Sequence, residues 1–175
     1  MVRELCGGAR RYSELFADLP GISTDVLAAR LRDLEADGIL TRRKAAPRAS
    51  SSVYELTEDG QDLRPVLAAL ADWGAARLGE RGAKDAVRAH WLAFPLGTII
   101  AAKLPEGTVN VRVGGEPPFH VVIDEQGIAH HDGEIASADA ELEMDLDTAI
   151  AIVRGQGPLT SDAPGVTWKS TIPLQ

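Results

Sequence analysis

The chain has 175 residues, of which 45% are hydrophobic and 25% are charged, and its formal net charge is −8. This length fits one ordinary domain or two small ones, and the composition is that of a globular protein. The sequence contains no run of about eighteen apolar residues and no signal-peptide core, so neither a membrane span nor export is predicted. The single cysteine, Cys6, cannot form an internal disulfide, and we expect a cytoplasmic protein.

The net negative charge of the chain comes entirely from its second half. Residues 1–90 carry 14 Lys and Arg against 14 Asp and Glu, whereas residues 91–175 carry 4 against 12. The segment 39–53 has four cations and no acid. These cations are Arg42, Arg43, Lys44 and Arg48. A local basic patch can contact phosphates even on an acidic protein, so the asymmetry predicts two modules with different roles.

The first two predicted elements are helices separated by a tight turn. Apolar residues recur at helical spacing from Tyr12 to Leu19, and Leu19-Pro20-Gly21 is a stop signal. Ser23 is a candidate N-cap for the second helix, which is predicted to end at Gly38.

The second helix has two contrasting faces. Leu31 and Leu34 both fall within about 40° of Leu27 around the helix, and the three leucines form the apolar face. The opposite side carries short side chains and one arginine. Its members are Asp25, Ala28, Ala29, Arg32 and Ala36. Small residues let a helix backbone approach base edges, and an arginine can bind guanine through two hydrogen bonds.

A basic hairpin is predicted to follow the second helix. Ile39–Lys44 and Val53–Leu56 have strand character, and residues 45–52 form a Pro-, Ser- and Ala-rich loop. Two helices followed by such a hairpin are typical of the winged helix-turn-helix, in which the second helix enters the major groove and the wing reaches phosphates or the minor groove.

A third helix is predicted from Thr57, its N-cap, to Leu78, with a kink at Pro65. Residues 79–82 are the best linker candidate because they include two glycines. After a short apolar segment, the pattern is predicted to change to strands beyond Pro95. The predicted strands are Val109–Val113, Phe119–Ile123, Ile128–His131 and Ala140–Met144, and a last helix, Thr148–Arg154, is capped by Asp145 or Asp147.

The first half closely resembles the HxlR family of bacterial regulators over residues 2–78. The motifs that carry the resemblance are Arg10–Leu15, Leu19–Ser23, the set Val26, Leu27, Arg30, Leu31, Leu34, Glu35 and Gly38, the set Tyr54, Leu56, Thr57 and Gly60, and Leu70, Trp73 and Gly74. The resemblance implies a homodimer that binds double-stranded DNA, with terminal helices forming much of the interface. Members usually carry a further helix, often with a cysteine, before the position of Val2, and this sequence lacks it. Cysteine-based redox sensing is therefore not carried over to Cys6.

The resemblance also implies which residues face DNA. The major-groove set is Thr24, Asp25, Ala28, Ala29 and Arg32, and the wing set is Arg42, Arg43, Lys44 and Arg48. We add Arg11, Ser13 and Ser23, which lie at the starts of the two helices, as predicted DNA contacts. Asp25 has an alternative role, which is to interact favourably with its own helix terminus.

The second half is similar to sterol carrier protein-like domains over Ala138–Leu142 and Ala149–Gly155. This similarity implies an α+β fold with an apolar pocket for a small ligand. We therefore predict an α+β chain with two domains: a winged helix-turn-helix at 1–80, mainly α with a β-hairpin wing, and a small domain with a mostly antiparallel sheet at 84–175.

Catalytic and metal sites are not predicted. His120, His130 and His131 lack ligand spacing, and adjacent residues of a strand point to opposite faces. No residue set has the pattern of an enzyme active site, and no cofactor is expected. The leading hypothesis is a DNA-binding transcriptional regulator modulated by a ligand or by assembly through its second half. The alternative is a small-molecule or lipid-binding protein whose winged helix serves protein interaction.

Overall fold

The computed structural model describes residues 1–46, 50–75, 77–79, 82, 85–160 and 163–171. The chain divides into two compact units, Met1–Pro65 and Val66–Gln175. Each unit combines helices with a sheet, so the predicted α+β class is confirmed. Among the described residues, no helix has both the length and the apolar character needed to cross a bilayer.

The first unit contains two main helices and a three-stranded antiparallel sheet. Its elements are α1 (Val2–Leu5), β1 (Arg10–Arg11), α2 (Tyr12–Asp18), α3 (Thr24–Ala36), β2 (Leu40–Lys44), β3 (Ser52–Leu56) and α4 (Glu58–Gln61). The strand order is β1-β3-β2, so β3 is hydrogen-bonded on both sides. The core is formed by leucines at apolar positions of these elements: Leu5, Leu15, Leu27, Leu31 and Leu40. The predicted helix-turn-helix and hairpin are thereby confirmed.

The predicted third helix is wrong as a single element. The chain forms α4 and then a separate helix, α5 (Arg64–Ala75), which begins at the boundary between the units. Pro65 lies in the first turn of α5 rather than inside a continuous helix. The physical reason is that the first-turn N–H groups have no partner within the helix, so proline costs little there and favours a new start.

The second unit is built on a five-stranded sheet. After α5 come a 3-10 turn (Ala89–Leu92), α6 (Ala93–Ala101), β4 (Gly107–Val113), β5 (Phe119–Asp124), β6 (Gly127–Asp132), β7 (Ala140–Met144), α7 (Leu146–Val153) and β8 (Val166–Ser170). The strand order is β6-β5-β4-β7-β8. Only the β4–β7 pair is parallel within this sheet, so the predicted mostly antiparallel character is present.

One face of this sheet forms the core of the second unit. Apolar and polar residues alternate along β4, β5 and β7, as expected for strands with one buried face. The apolar set packs with buried residues of α6 and α7. Central members are Leu96, Ile100, Val109, Val111, Phe119, Val121, Leu142, Ala149 and Ile152. The members of this core among the described residues all belong to Val66–Gln175.

The opposite, polar face holds the connection from β6 to β7. Asn110 is only 2% exposed, and its Nδ2 donates to the Ile135 carbonyl oxygen at 2.9 Å while its Oδ1 accepts from the Ile135 N–H at 3.0 Å. His120 Nδ1 lies 2.9 Å from the Gly133 carbonyl oxygen. These contacts fix the connection that lets β7 join β4 in parallel.

One prediction for the second half is wrong, and one strand was not predicted at all. Pro95 does not begin a strand region, because it lies in the first turn of α6, which continues to Ala101. The residues beyond Gly157 contain a strand that was not predicted, β8, which pairs with β7. By contrast, Asp145 caps α7 as expected: the Thr148 N–H donates to its Oδ1 at 2.7 Å, and this bond lowers the pKa of the Asp145 carboxyl.

Candidate nucleic-acid interface

Helix α3 is held at its start by two hydrogen bonds. The Ser23 hydroxyl oxygen accepts from the Val26 N–H at 3.3 Å, so Ser23 is the N-cap. The Tyr12 hydroxyl donates to the Thr24 carbonyl oxygen at 2.9 Å and ties the first turn of α3 to α2. Leu27 and Leu31 anchor the apolar side in the core. The helix is thus fixed in both position and rotation.

The outward side of α3 is an open surface of low relief. Thr24, Asp25 and Arg32 are exposed, and Ala28 and Ala29 are half-buried. Arg32 Nε donates to the Ala28 carbonyl oxygen at 3.3 Å, so this side chain lies along its own helix. That bond is exposed to solvent and can be exchanged for one to a base or a phosphate.

The wing consists of β2 and β3, and its cations lie on two faces. Arg42 pairs in register with Tyr54, and its guanidinium lies 5.8 Å from the centre of that ring. Arg43 is next along the strand and therefore points to the other face, where its Nε lies 2.7 Å from Glu55 Oε1. Lys44 is exposed at the end of β2. The predicted wing residue Arg48 lies outside the described residues.

The base of the wing is joined to α4 by Thr57. Its hydroxyl donates to the Gly38 carbonyl oxygen at 2.6 Å and accepts from the Gly60 N–H at 3.1 Å. The Thr57 N–H donates to the Ile39 carbonyl oxygen at 3.1 Å. Thr57 therefore caps α4, as predicted, and also fixes the end of the loop that leads from α3 into β2.

Two more predicted DNA contacts lie at the start of α2. Arg11 and Ser13 are both exposed, and the Arg11 N–H donates to Glu14 Oε2 at 2.7 Å. The hydroxyl of Ser23, predicted as a contact, is the cap of α3 described above. All the described residues of the predicted set thus belong to the first unit, at the start of α2, on α3 and its N-cap, and on the wing.

Sequence reasoning missed three residues that shape this surface. Glu55 contacts Arg43, Tyr54 contacts Arg42, and Tyr12 holds α3. The first two contacts follow from the hairpin register, in which Thr41 pairs with Glu55 and Arg42 with Tyr54, and the sequence alone does not fix that register. The Tyr12 contact joins two elements whose spacing in sequence carries no such signal.

The histidines and Cys6, the other candidate functional residues, pack against neighbouring residues of the fold. His130 is buried and meets Phe94 edge-on at 4.8 Å, whereas His131 stacks on His120 at 5.3 Å, so the two adjacent histidines do point to opposite faces. The pKa of the Cys6 thiol is raised because the thiol is buried. The nearby Arg64 guanidinium offsets only part of this rise. Arg64, which also belongs to the first unit, donates to the Cys6 carbonyl oxygen at 2.7 Å.

The first unit is a winged helix-turn-helix domain. It consists of a short helix, a turn, a capped second helix with an open outer face, and a cationic hairpin. Residues 1–81 match the family described as HxlR-like helix-turn-helix. The chain belongs to this family.

Relatives with similar sequences are named as regulators. The uncharacterized HTH-type transcriptional regulator YvaP of Bacillus subtilis (strain 168) is 36% identical over 73 residues, which cover 42% of this chain and 68% of that protein. The uncharacterized HTH-type transcriptional regulator sll1512 of Synechocystis sp. is 40% identical over 77 residues. That match covers 42% of this chain and 57% of the relative, so the chain spans little more than half of its length.

Among solved structures, the redox regulator HypR in its oxidized form is 30% identical, with a TM-score of 0.42. The alignment covers 45% of this chain and 81% of that structure.

Proposed function

We propose that the protein is a DNA-binding transcriptional regulator that reads DNA with α3 and contacts the phosphate backbone with the wing. The observation that carries this proposal is the outward side of α3, where Thr24, Asp25 and Arg32 are exposed beside two alanines. Family membership and the regulator names of the relatives support it. In this proposal Arg32 donates to a base edge, the alanines allow close approach, and the wing cations neutralise phosphates.

The first test compares two arginines on the same helix. Arg32→Ala is expected to reduce the preference for an operator duplex over a scrambled one by about 5- to 100-fold, because a base-edge contact is lost. Arg30→Ala is the matched control: Arg30 is exposed, is displaced by about 160° around the helix, and binds Asp33 at 3.2 Å. The measurement is a fluorescence-anisotropy titration with DNA flanking the protein's own gene.

If the proposed geometry holds, Arg32→Ala loses the preference for the operator duplex and Arg30→Ala keeps it. The proposal is contradicted if Arg32→Ala keeps the wild-type preference, or if Arg30→Ala loses it to the same extent. Circular dichroism on each variant verifies that α3 is still folded.

We further propose that the active form is a homodimer assembled through α5. Val66, Leu70 and Trp73 recur at helical spacing and are 63%, 59% and 59% exposed. We name these three residues the apolar stripe. A stripe of large exposed apolar side chains marks an association surface, and two-fold pairing of the same surface is the commonest form of assembly.

Leu70→Glu is expected to raise the dissociation constant of the dimer about 30-fold or more, because a carboxylate is placed among apolar side chains. Leu70→Met keeps the apolar area and is expected to change it little. Sedimentation velocity over a concentration series measures both. Equal masses for wild type and Leu70→Glu at every concentration would exclude the apolar stripe as the interface.

We assign DNA binding to residues 1–80 and modulation, by a small apolar ligand or by assembly, to residues 84–175. The core of the second unit, formed by buried residues between positions 89 and 166 together with Ala75 of α5, and the acidic charge of residues 91–175 support a distinct role for the second half. The similarity to sterol carrier protein-like domains stays a prediction, since the family match ends at residue 81.

A further inference from the structure

We infer that Glu55 restrains the wing by competing with DNA phosphates for Arg43. This inference rests on the proposed function, because it concerns how strongly the wing binds the DNA backbone. It assigns a role to Glu55, an acidic residue that lies on the basic surface of the wing.

The geometry places Glu55 beside one wing cation. In the hairpin, Thr41 pairs with Glu55 and Arg43 pairs with Val53, so Glu55 is the diagonal cross-strand neighbour of Arg43 on the same face. Arg43 Nε lies 2.7 Å from Glu55 Oε1. Arg42 is on the opposite face, over Tyr54. The restraint therefore acts on a single guanidinium and leaves the other side of the wing unchanged.

The ion pair is exposed enough to exchange. The side chains of Arg43 and Glu55 are 51% and 31% exposed, and pairs of this kind are held weakly because water competes for both partners. A DNA phosphate can displace the carboxylate. The binding step then includes the loss of the ion pair, and it leaves a second negative charge close to the DNA backbone.

The consequence is a lower affinity for all DNA sequences alike. Phosphate contacts act on every duplex, whereas base contacts from α3 act on the operator alone. By weakening a phosphate contact, Glu55 keeps binding to non-operator DNA low. The wing then contributes less to affinity than its cations alone predict, and recognition depends more on α3.

The test is a double-mutant cycle on Glu55 and Arg43. Glu55→Gln, Arg43→Ala and the double variant of the full chain are titrated by fluorescence anisotropy against DNA flanking the gene and against a scrambled duplex. Glu55→Gln is expected to bind both duplexes about 3- to 10-fold more tightly. Its salt dependence should steepen by about one phosphate contact. In the Arg43→Ala background the same change should give a clearly smaller gain, because only the repulsion between the Glu55 carboxylate and the DNA backbone is then removed.

Three results would overturn the inference. Weaker binding by Glu55→Gln means that Glu55 positions Arg43 for DNA instead of withholding it. An equal gain with and without Arg43 means that only net charge matters. A gain on the operator alone means that the wing reads sequence. Failure of the proposed function gives a different pattern, in which the wild type and every folded variant bind no duplex, and this also removes the basis of the inference.

Discussion

Replacing Gly60 with alanine is expected to lower the free energy of unfolding of the first unit by about 3 kcal/mol. A Cβ at this position would lie 2.1 Å from the carbonyl oxygen of Ile39 and 3.2 Å from the Leu56 Cβ. The Ile39 carbonyl cannot easily move, because it accepts a hydrogen bond from the Thr57 N–H at 3.1 Å. The effect is therefore steric, and the backbone conformation of Gly60 is one that other residues adopt.

Thermal unfolding followed by far-ultraviolet circular dichroism measures this loss, which corresponds to a fall of roughly 12–24 °C for a unit of this size. Gly74→Ala is the matched control. Gly74 lies within α5 with no neighbour within 4 Å of an added Cβ, so alanine is expected to be neutral or to stabilise by up to about 1 kcal/mol. A Gly60→Ala protein that melts with the wild type would contradict the close contact.

Phe119→Ala is expected to destabilise the second unit by about 3–5 kcal/mol. Phe119 is 1% exposed and belongs to the core between the sheet and helices α6 and α7. Truncation removes a large apolar side chain and leaves a cavity, since a packed interior relaxes only in part.

Tryptophan fluorescence is a selective probe for this experiment. Trp73, Trp91 and Trp168 are the only tryptophans of the chain, and all belong to Val66–Gln175. Urea titration of their emission should show the transition shifted to lower concentration in Phe119→Ala. Phe119→Leu, which keeps most of the volume, should shift it by a smaller amount, about 1 kcal/mol. If Phe119→Ala shifted the urea transition no further than Phe119→Leu does, the core would tolerate the cavity, and the expected loss of stability would be contradicted.

The fold of the first half could be predicted because its signals are local. Ser23, Thr57 and Gly38 mark helix ends, and the change from helical to alternating spacing after Gly38 marks the wing. Capping and periodicity depend on residues within a few positions of one another, so they are visible in a single sequence.

Proline accounts for two of the errors. The sequence predicts a kink at Pro65 and a change to strands beyond Pro95, yet each proline lies in the first turn of a helix. Proline breaks a helix when the residues before it are helical. It begins a helix when the residues before it have another conformation. Strand β8 was missed for a related reason, since it is stabilised by pairing with β7 and not by its own composition.

The candidate interface was predicted as a set of residues but not as an arrangement. Exposure of Arg32 follows from helical periodicity, which places it opposite Leu27. The division of Arg42 and Arg43 between two faces, and the partner that each finds on β3, depend on the register of the hairpin. A loop of uncertain length between the strands hides that register from the sequence.

The strand order of the first unit has a mechanical consequence. Strand β3 is bonded to β2 and to β1, and β1 runs directly into α2, whose Tyr12 holds the start of α3. The wing and α3 are thus linked through the sheet hydrogen bonds, the direct chain connection from β1 to α2 and the Tyr12 hydrogen bond, and we expect them to move together as one rigid body. In the proposed homodimer, we therefore expect an effector to act by changing the distance between the two α3 helices and not by bending either domain.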